Sequence, residues 1–437
     1  MVRGPTGEGR LMVSSILVIG LDIGTSGVRA VAMNDGFVVQ AQSEAVVADF
    51  DGGGRDPEVW WRTVETAMDD LLRRIDRGRV RALAVDGTSG TILPIDRAGR
   101  PMAAALMYSD KVEDPVILAA IAGEAPVTSA AHGATSGLAK LMRFQRDLKP
   151  VRILHQADWI AGRFSGRFDV SDENNALKTG YDPLERAWPA WIDKTGADRA
   201  LLPSVVAPGT PIGTVTPEIA TRFGLPPATA IIAGTTDGCA SFLATGADAV
   251  GDAVTALGSS LTLKVLSDRP VFAPQFGIYS HRMGDFWLAG GASNTGGKVL
   301  AHFFTTERIR ALSLSIDPDR PTGLDYYPLI VTGERFPIAD PTYAPRLEPR
   351  PPDDTLFLHA LLEGIASIEA LGYRRLAELG GPAIKSVRSV GGGAKNPAWT
   401  KIRRNRLDVP FRDAFSEEAA AGSARLALRG AEKAGLL

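Results

Sequence analysis

After a polar N-terminal stretch, the chain contains three short segments whose apolar positions follow one another closely. Residues 17–21 and 28–33 are almost wholly apolar, and residues 37–47 (FVVQAQSEAVV) alternate between apolar and polar positions. Runs of this length separated by small turn residues predict β-strands. Three of them in quick succession predict a meander at the start of a mixed sheet.

Longer segments repeat apolar residues at helical spacing. Asp56 is a suitable N-cap and Pro57 suits the first helical position. The apolar residues that follow share one helical face: Trp60, Val64, Ala67, Leu71 and Ile75. Asn396 and Pro397 give the same start signal for a later helix, and Ser416 is the predicted cap of the last one.

A strand followed by a turn of glycine, threonine and serine recurs along the chain. Asp22 precedes the turn Gly24–Gly27, Asp86 precedes the identical turn 87–90, and Gly258–Ser260 joins two further apolar segments. Backbone N–H groups in such turns suit phosphate oxygens, and a carboxylate at the strand end can hold Mg²⁺ through water. The pattern predicts a metal–phosphate site, with ordinary hairpin turns as the alternative.

Two later segments have functional and structural interpretations. Asp237 follows the apolar strand 230–233 at a predicted strand-to-helix corner, where a carboxylate can accept a proton from a substrate hydroxyl. A simple helix N-cap is the alternative. The segment 391–396 (GGGAKN) offers bare backbone against which a flat nucleoside can lie, and a glycine-rich connection is its alternative.

Composition narrows the classes of protein. A chain of 437 residues predicts two domains, and 45% hydrophobic with 22% charged residues is typical of a soluble enzyme. A net charge of −2 gives no reason to expect a nucleic-acid or membrane partner. No apolar run approaches the roughly 20 residues of a membrane span. The one cysteine, Cys239, is predicted to be a buried core residue, and five histidines make a zinc site a poor hypothesis.

The predicted organisation has three parts. Residues 1–15 lack the apolar core of a signal peptide, so we expect a disordered lead-in to a cytoplasmic protein. Residues 16–233 form the predicted N-terminal domain and residues 234–437 the predicted C-terminal domain.

The motifs together, in this order, resemble those of the FGGY carbohydrate kinases within the actin–hexokinase–chaperone ATPase superfamily. The similar segments run from Ile16 to the C-terminus and include GLDIGTSGVRA, AGTTDGCASFLATGA, LGSSLTLK and GGGAKNPAW. VDGTSGTILPIDRAGRP and GASNTGGKVL resemble the short D-ribulose kinases, a branch often labelled xylulose-kinase-like. One departure is Gly258–Ser260, where the family usually has Gly-Thr or Gly-Ser-Thr. This change keeps a hydroxyl but predicts a weaker hold on phosphate.

The resemblance implies an α/β fold of two ribonuclease-H-like lobes. Each lobe would be a five-stranded mixed sheet flanked by helices, with the catalytic cleft between them. It also implies an enzyme that uses ATP and Mg²⁺ to phosphorylate a ketopentose, D-ribulose first, to give D-ribulose 5-phosphate. A kinase for D-xylulose or a polyol such as glycerol, and a non-catalytic binding protein of the same fold, stay open as alternatives. A monomer and a homodimer are equally open.

The resemblance also implies roles for individual residues. Asp237 would be the catalytic base, and Asp22 and Asp237 would hold the metal ion. The sugar would contact Asp22, Thr25, Ser89 and Asp237. The nucleotide would lie against a larger set of residues: Gly24, Thr25, Gly258, Ser259, Ser260, Asn294, Gly296, Gly391, Gly392 and Asn396.

Overall fold

The described part of the chain, residues 16–50 and 52–436 of the computed structural model, is built on two six-stranded mixed sheets flanked by helices. This is the predicted two-lobed α/β architecture. The expected lead-in, residues 1–15, lies outside the described residues.

The elements have the following bounds. The strands are β1 (Leu17–Ile23), β2 (Gly27–Asn34), β3 (Val39–Val46), β4 (Val80–Gly87), β5 (Ile92–Ile95), β6 (Arg152–His155), β7 (Val170–Asp172), β8 (Ser204–Val206), β9 (Pro211–Thr214), β10 (Ala230–Thr236), β11 (Asp252–Leu257), β12 (Leu261–Ser267), β13 (His281–Met283), β14 (Phe286–Ala292), β15 (Ser386–Val390) and β16 (Phe411–Arg412). The helices are α1 (Pro57–Leu72), α2 (Pro115–Glu124), α3 (Gly137–Leu148), α4 (Gln156–Ser165), α5 (Glu173–Ala176), α6 (Trp191–Lys194), α7 (Pro217–Phe223), α8 (Asp237–Ala244), α9 (Gly297–Phe303), α10 (Thr306–Ser313), α11 (Asp354–Glu378), α12 (Pro397–Leu407) and α13 (Ala419–Lys433).

The two large sheets each contain one strand more than the five expected. The strand order is β3-β2-β1-β4-β10-β9 in the first sheet and β13-β14-β12-β11-β15-β16 in the second. The additional strands are short edge strands. Strand β16, for example, pairs with β15 through only two residue pairs, and a segment that short carries no alternation from which a strand can be predicted.

The first sheet opens with the predicted meander, since β1, β2 and β3 pair antiparallel in succession. Strand β4 then pairs parallel to β1, and β10 pairs parallel to β4. In this register Asp22 on β1 lies opposite Asp86 on β4, and Asp86 lies opposite Thr235 on β10. The carboxyl ends of three neighbouring parallel strands therefore meet at one edge of the sheet.

Helix α1 covers one face of this sheet and begins as predicted. The Asp56 carboxylate accepts the Glu58 N–H at 2.9 Å, and Pro57 is the first helical residue. Trp60 and Leu71 are fully buried in the core on this face. The helix ends at Leu72, so Ile75 lies beyond it and only packs against the edge of that core.

The last helix, α13, returns to the first lobe and covers the opposite face of its sheet. Ala420 and Ala424 pack in one cluster with Val18 and Ile232. A Cβ at Gly20 would lie 2.0 Å from the Ala420 carbonyl oxygen. Only glycine therefore allows the helix to approach the strand this closely.

Helix α13 begins later than predicted. Its N-cap is Glu418 rather than Ser416, which instead accepts the Glu418 N–H through its hydroxyl at 3.1 Å in the turn before the helix. The prediction was wrong by two residues because a serine hydroxyl can close such a turn as well as cap a helix.

Helix α8 lies between the two sheets. Ala244 belongs to the cluster beneath the first sheet, whereas Cys239 and Phe242 pack with Val254 and Leu266 of the second. Cys239 is 1% exposed, which confirms the prediction of a buried core residue.

Helix α11 forms much of the core of the second lobe. By length and composition alone it could cross a membrane, but 72% of its most apolar window is buried inside the molecule. Leu361 and Ile365 pack with Trp399 and Ile402 of α12. Scattered polar residues interrupt its apolar ones, so the segment contains no continuous apolar run as long as a membrane span.

The division of the chain between 233 and 234 stays a proposal. Strand β10 pairs with the first sheet as far as Thr236, opposite Gly87. Because α13 also packs on the first sheet, a C-terminal domain starting at 234 would include elements of both lobes.

Candidate active site

Three aspartates lie at the joint edge of β1, β4 and β10. Asp22 and Asp86 are paired across neighbouring strands, and Asp237 follows the end of β10 directly. Thr236 is the N-cap of α8 and Asp237 its first residue, so the predicted strand-to-helix corner is present and the simple N-cap alternative is not. Ligands in open α/β sheets bind beyond such carboxyl ends.

Asp86 is a member of this cluster to which the sequence interpretation gave no role. It is fully buried, and the Ser423 hydroxyl donates to its Oδ2 at 2.6 Å. Burial raises the pKa of Asp86 well above its usual value, and the negative charge of Asp22 raises it further. Both effects favour the neutral form of the Asp86 carboxyl. No local signal identifies Ser423, which is 337 residues away in the chain.

Neighbouring groups shift the pKa of the Asp22 carboxyl in opposite directions. Burial raises its pKa, and the charge of Asp237 adds to this rise. The hydrogen bond with Asp86 and the positive charge of Arg29 act in the opposite direction. The Arg29 guanidinium lies 3.4 Å from Asp22 Oδ2. Asp22 is thus a buried carboxylate that a nearby cation would stabilise.

The two predicted phosphate turns are exposed, one on each sheet. In the first lobe the Gly24 N–H donates to the Gly27 carbonyl at 2.9 Å, which closes the turn and leaves Thr25 exposed. In the second lobe Gly258–Ser260 connects β11 to β12. Hydroxyl-bearing residues of both turns, Thr25 and Ser259, are exposed and can meet an anionic ligand.

Gly296 lies directly against the second turn. It has φ +138°, and a Cβ there would lie 2.7 Å from the Ser260 carbonyl carbon. The next two residues, Gly297 and Lys298, donate their N–H groups to the carbonyls of Gly258 and Ser259 at 2.9 and 3.1 Å. The structure therefore brings together residues 258–260 and Gly296, as the sequence interpretation required.

The glycine-rich segment before α12 lies beside the same turn. A Cβ at Gly391 would be 3.0 Å from the Leu257 carbonyl oxygen and 3.4 Å from the Gly258 nitrogen. Asn396 uses its side chain within the protein, since Oδ1 accepts the Trp399 N–H and Nδ2 donates to the Ser313 hydroxyl.

The Asn294 side chain also forms a hydrogen bond within the protein. Its Nδ2 donates to the Gly333 carbonyl at 2.9 Å. The side chains of Asn294 and Asn396 thus both have hydrogen-bond partners within the protein. Their direct contact with the nucleotide stays a prediction.

Ser89 lies in the second Gly-Thr-Ser-Gly turn, next to the end of β4. Its hydroxyl oxygen is buried and has no hydrogen-bond partner in the described part of the chain. Leaving a buried polar group unpaired costs about 1–3 kcal/mol. A ligand hydroxyl could supply the missing partner, so this atom is a candidate contact for the substrate.

Two lysines that the sequence interpretation missed bring positive charge to Asp237. Lys264, on β12 of the second lobe, donates to the Gly238 carbonyl oxygen. Burial lowers the pKa of Lys178, in the first lobe, and the charge of Asp237 opposes this effect. Cations from both lobes can neutralise charge on a transferring phosphoryl group. Lys178 lies outside the motifs recognised in the sequence, and Lys264 closes the LGSSLTLK segment, where attention fell on the turn rather than on the lysine.

The predicted magnesium site consists of carboxylates only. Within residues 16–50 and 52–436, no group of three or more His, Cys, Asp or Glu side chains is arranged to hold a metal. Mg²⁺ keeps several waters and commonly uses one or two carboxylates together with substrate phosphates. Asp22 and Asp237 suit that mode, since a divalent cation would relieve the repulsion that helps to raise the pKa of Asp22. Their metal role stays a prediction.

Comparison with known protein families gives a direct result. Residues 17–117 match the N-terminal domain model of the FGGY family of carbohydrate kinases, and residues 253–431 match its C-terminal domain model. The chain belongs to the FGGY family of carbohydrate kinases. This confirms the resemblance inferred from the sequence motifs.

Individual FGGY relatives are distant but cover most of the chain. The xylulose kinase of Escherichia coli (strain K12) is 24% identical over 442 residues, which cover 94% of this chain and 89% of the relative. The gluconokinase of Bacillus subtilis (strain 168) is 21% identical over 429 residues, covering 88% and 82%. The crystal structure of xylulose kinase from Rhodospirillum rubrum superposes with a TM-score of 0.81 at 22% identity, covering 95% and 90%. At this identity the likeness establishes the fold.

Gly392 tests the predicted nucleotide pocket of this FGGY kinase. A Cβ at Gly392 would meet no atom within 4 Å, so a side chain there would project into the space predicted for the nucleoside. We expect Gly392→Val to raise the KM for ATP and to leave the KM for the sugar unchanged. Steady-state kinetics with each substrate varied in turn measures both.

A matched control is Gly123→Val on α2, where a Cβ also meets no atom within 4 Å. This position lies in the other lobe, so the control should retain the wild-type KM for ATP. If Gly392→Val does the same, the adenosine pocket lies elsewhere.

Proposed function

We propose that this carbohydrate kinase transfers the γ-phosphoryl group of ATP to the primary hydroxyl at C5 of a ketopentose, with D-ribulose as the preferred substrate. The buried Ser89 hydroxyl, which has no hydrogen-bond partner among the described residues, supports a polyhydroxylated substrate most directly. It lies in the turn that follows β4, the strand whose end places Asp86 beside Asp22. The likeness of residues 85–101 to short D-ribulose kinases supports the choice of sugar.

The proposed mechanism assigns positioning to the turns and proton transfer to Asp237. The Asp237 carboxylate accepts the proton of the sugar hydroxyl as its oxygen bonds to the γ-phosphorus and the bond to the β-phosphate oxygen breaks. Gly24–Thr25 and Gly258–Ser260 hold the phosphate chain from the two lobes. Lys178 and Lys264 place positive charge near the reacting group.

Mg²⁺ fits the same arrangement. Asp22 and Asp237 would hold it, and when bound it supplies neutralisation of the phosphate charge. The raised pKa of Asp86 supports this role of Asp22, because a neutral Asp86 adds no second negative charge beside it.

The active enzyme is proposed to be cytoplasmic and to be a monomer or a homodimer. Its proposed partners are ATP and a small sugar, rather than nucleic acid or a membrane. A net charge of −2 supports this choice, since neither polyanion would be attracted.

D-Xylulose is the second candidate substrate, because several relatives are named xylulose kinases. D-Ribulose and D-xylulose differ only in configuration at C3, so one hydroxyl points in a different direction. If Ser89 binds that hydroxyl, the wrong epimer leaves a polar group unpaired, at a cost of about 1–3 kcal/mol. This cost corresponds to a roughly 5- to 150-fold difference in kcat/KM between the two sugars.

A coupled assay of ADP release over a panel of ketoses and polyols tests the proposal. We expect D-ribulose to have the highest kcat/KM, D-xylulose to be measurable but poorer, and Ser89→Ala to narrow the ratio between them. A preference for xylulose or glycerol would show that the substrate is misassigned. No turnover with any member of the panel would instead favour a non-catalytic binding protein of this fold.

A further inference from the structure

Lys140, on α3, is a fully buried lysine next to the proposed sugar site. Its ammonium donates to the carbonyl oxygens of Gly90 at 2.8 Å, Met107 at 2.7 Å and Tyr108 at 3.4 Å. Burying an ammonium group is costly unless its protons are all satisfied. Here the three acceptors are backbone carbonyls from two separate segments, so the lysine connects the turn at 87–90 to residues 107–108.

A second set of contacts holds the same turn. The Thr91 hydroxyl oxygen accepts the Tyr108 N–H at 2.9 Å, and the Gln156 side-chain oxygen accepts the Thr88 N–H at 3.0 Å. The turn is thus fixed on either side of Ser89. Ser89 itself is the member whose hydroxyl has no partner in the described part of the chain.

The charge state of Lys140 is compatible with this role. Burial lowers its pKa to about 8, and the negative charge of Asp110 opposes that effect. The charged ammonium form, which can donate to all three carbonyls, therefore predominates at pH 7.

We propose that Lys140 is a positioning residue for the sugar, which holds the Ser89–Gly90 turn against residues 107–108 so that the Ser89 hydroxyl has one fixed orientation. The inference rests on the proposed function, in which Ser89 contacts the sugar. Lys140 is too deeply buried to touch the sugar itself. Its removal should therefore act on sugar binding through the turn at 87–90, while the nucleotide residues of the second lobe, Gly258–Ser260 and Gly391–Asn396, keep their geometry.

Lys140→Met tests this role, after the wild type has been assayed with D-ribulose and the other sugars. We expect the KM for the preferred sugar to rise about tenfold or more and the KM for ATP to stay within about twofold, since a small misplacement of a binding group is costly. Thr91→Val, which removes the acceptor for Tyr108, should shift the sugar KM in the same direction by a smaller factor.

Trp159→Phe is the matched control. It removes a buried hydrogen bond of the same lobe, from Trp159 Nε1 to the Gly99 carbonyl at 2.9 Å, in the turn at the opposite end of β5. Thermal unfolding is measured for all variants. The control should lose stability while both of its KM values stay unchanged. A rise confined to the sugar KM of Lys140→Met then distinguishes a positioning role from a merely structural one.

The outcomes are distinct. A folded Lys140→Met with an unchanged sugar KM, or with equal rises in both KM values, overturns the inference while leaving the proposed function intact. If this variant does not fold, Thr91→Val decides, and an unchanged sugar KM there overturns the inference. A wild type without turnover on any sugar overturns the proposed function and the inference with it.

Discussion

Asp237→Asn is expected to lower kcat by about 10²–10⁴-fold, the usual cost of losing a general base, while sugar binding stays almost unchanged. Asparagine has the same shape but cannot accept the proton of the substrate hydroxyl. In the structure Asp237 Oδ1 already accepts the Gly238 N–H at 2.6 Å, which fixes the side chain and leaves Oδ2 for the substrate. Coupled ADP release measures turnover, and calorimetry measures D-ribulose binding.

Asp56→Asn provides a matched control, because Asp56 is also a carboxylate at the start of a helix. Its side chain caps α1 by accepting the Glu58 N–H at 2.9 Å, outside the proposed site. The control should turn over at the wild-type rate. A rate for Asp237→Asn within about threefold of wild type, with normal sugar binding, would show that another group is the base.

Local sequence patterns were enough to predict much of the framework. The meander of β1–β3, the start of α1 at Pro57 and the cap of α12 at Asn396 each depend on residues only a few positions apart. The turn at 258–260 followed from the same kind of signal. These features depend on capping residues, turn residues and apolar spacing within one short segment. Such local patterns can be recognised in a single sequence.

Contacts between distant segments could not be predicted in the same way. Ser423 bonds to Asp86 only because α13 packs across the first sheet. Lys140 lies in an ordinary amphipathic helix, and nothing in that pattern shows that its ammonium meets the carbonyls of Gly90 and Met107. Lys178 and Lys264 likewise come from opposite lobes. The supporting residues of the candidate site therefore emerge only from the tertiary structure.

Asp22→Ala is expected to weaken Mg²⁺-dependent use of ATP more than it weakens sugar binding. A carboxylate beside a phosphate turn is explained chiefly by a cation between them, since it would otherwise repel the phosphate. Even residues that only support metal ligands change metal affinity by about 10–100-fold when they are mutated, so we expect the Mg²⁺ concentration for half-maximal turnover to rise about tenfold or more. Titrating Mg²⁺ at fixed ATP and sugar measures this, and calorimetry measures sugar affinity.

Asp22→Asn separates charge from shape in the same experiment. Both substitutions remove the negative charge, but asparagine keeps a polar side chain beside the buried Asp86 carboxyl, whereas alanine removes it. If the charge holds the metal, both variants should show the raised Mg²⁺ requirement, and the alanine variant should also lose thermal stability. An unchanged Mg²⁺ response in both variants would remove the metal role of Asp22. A normal response in the asparagine variant alone would mean that Asp22 acts through its hydrogen bond to Asp86.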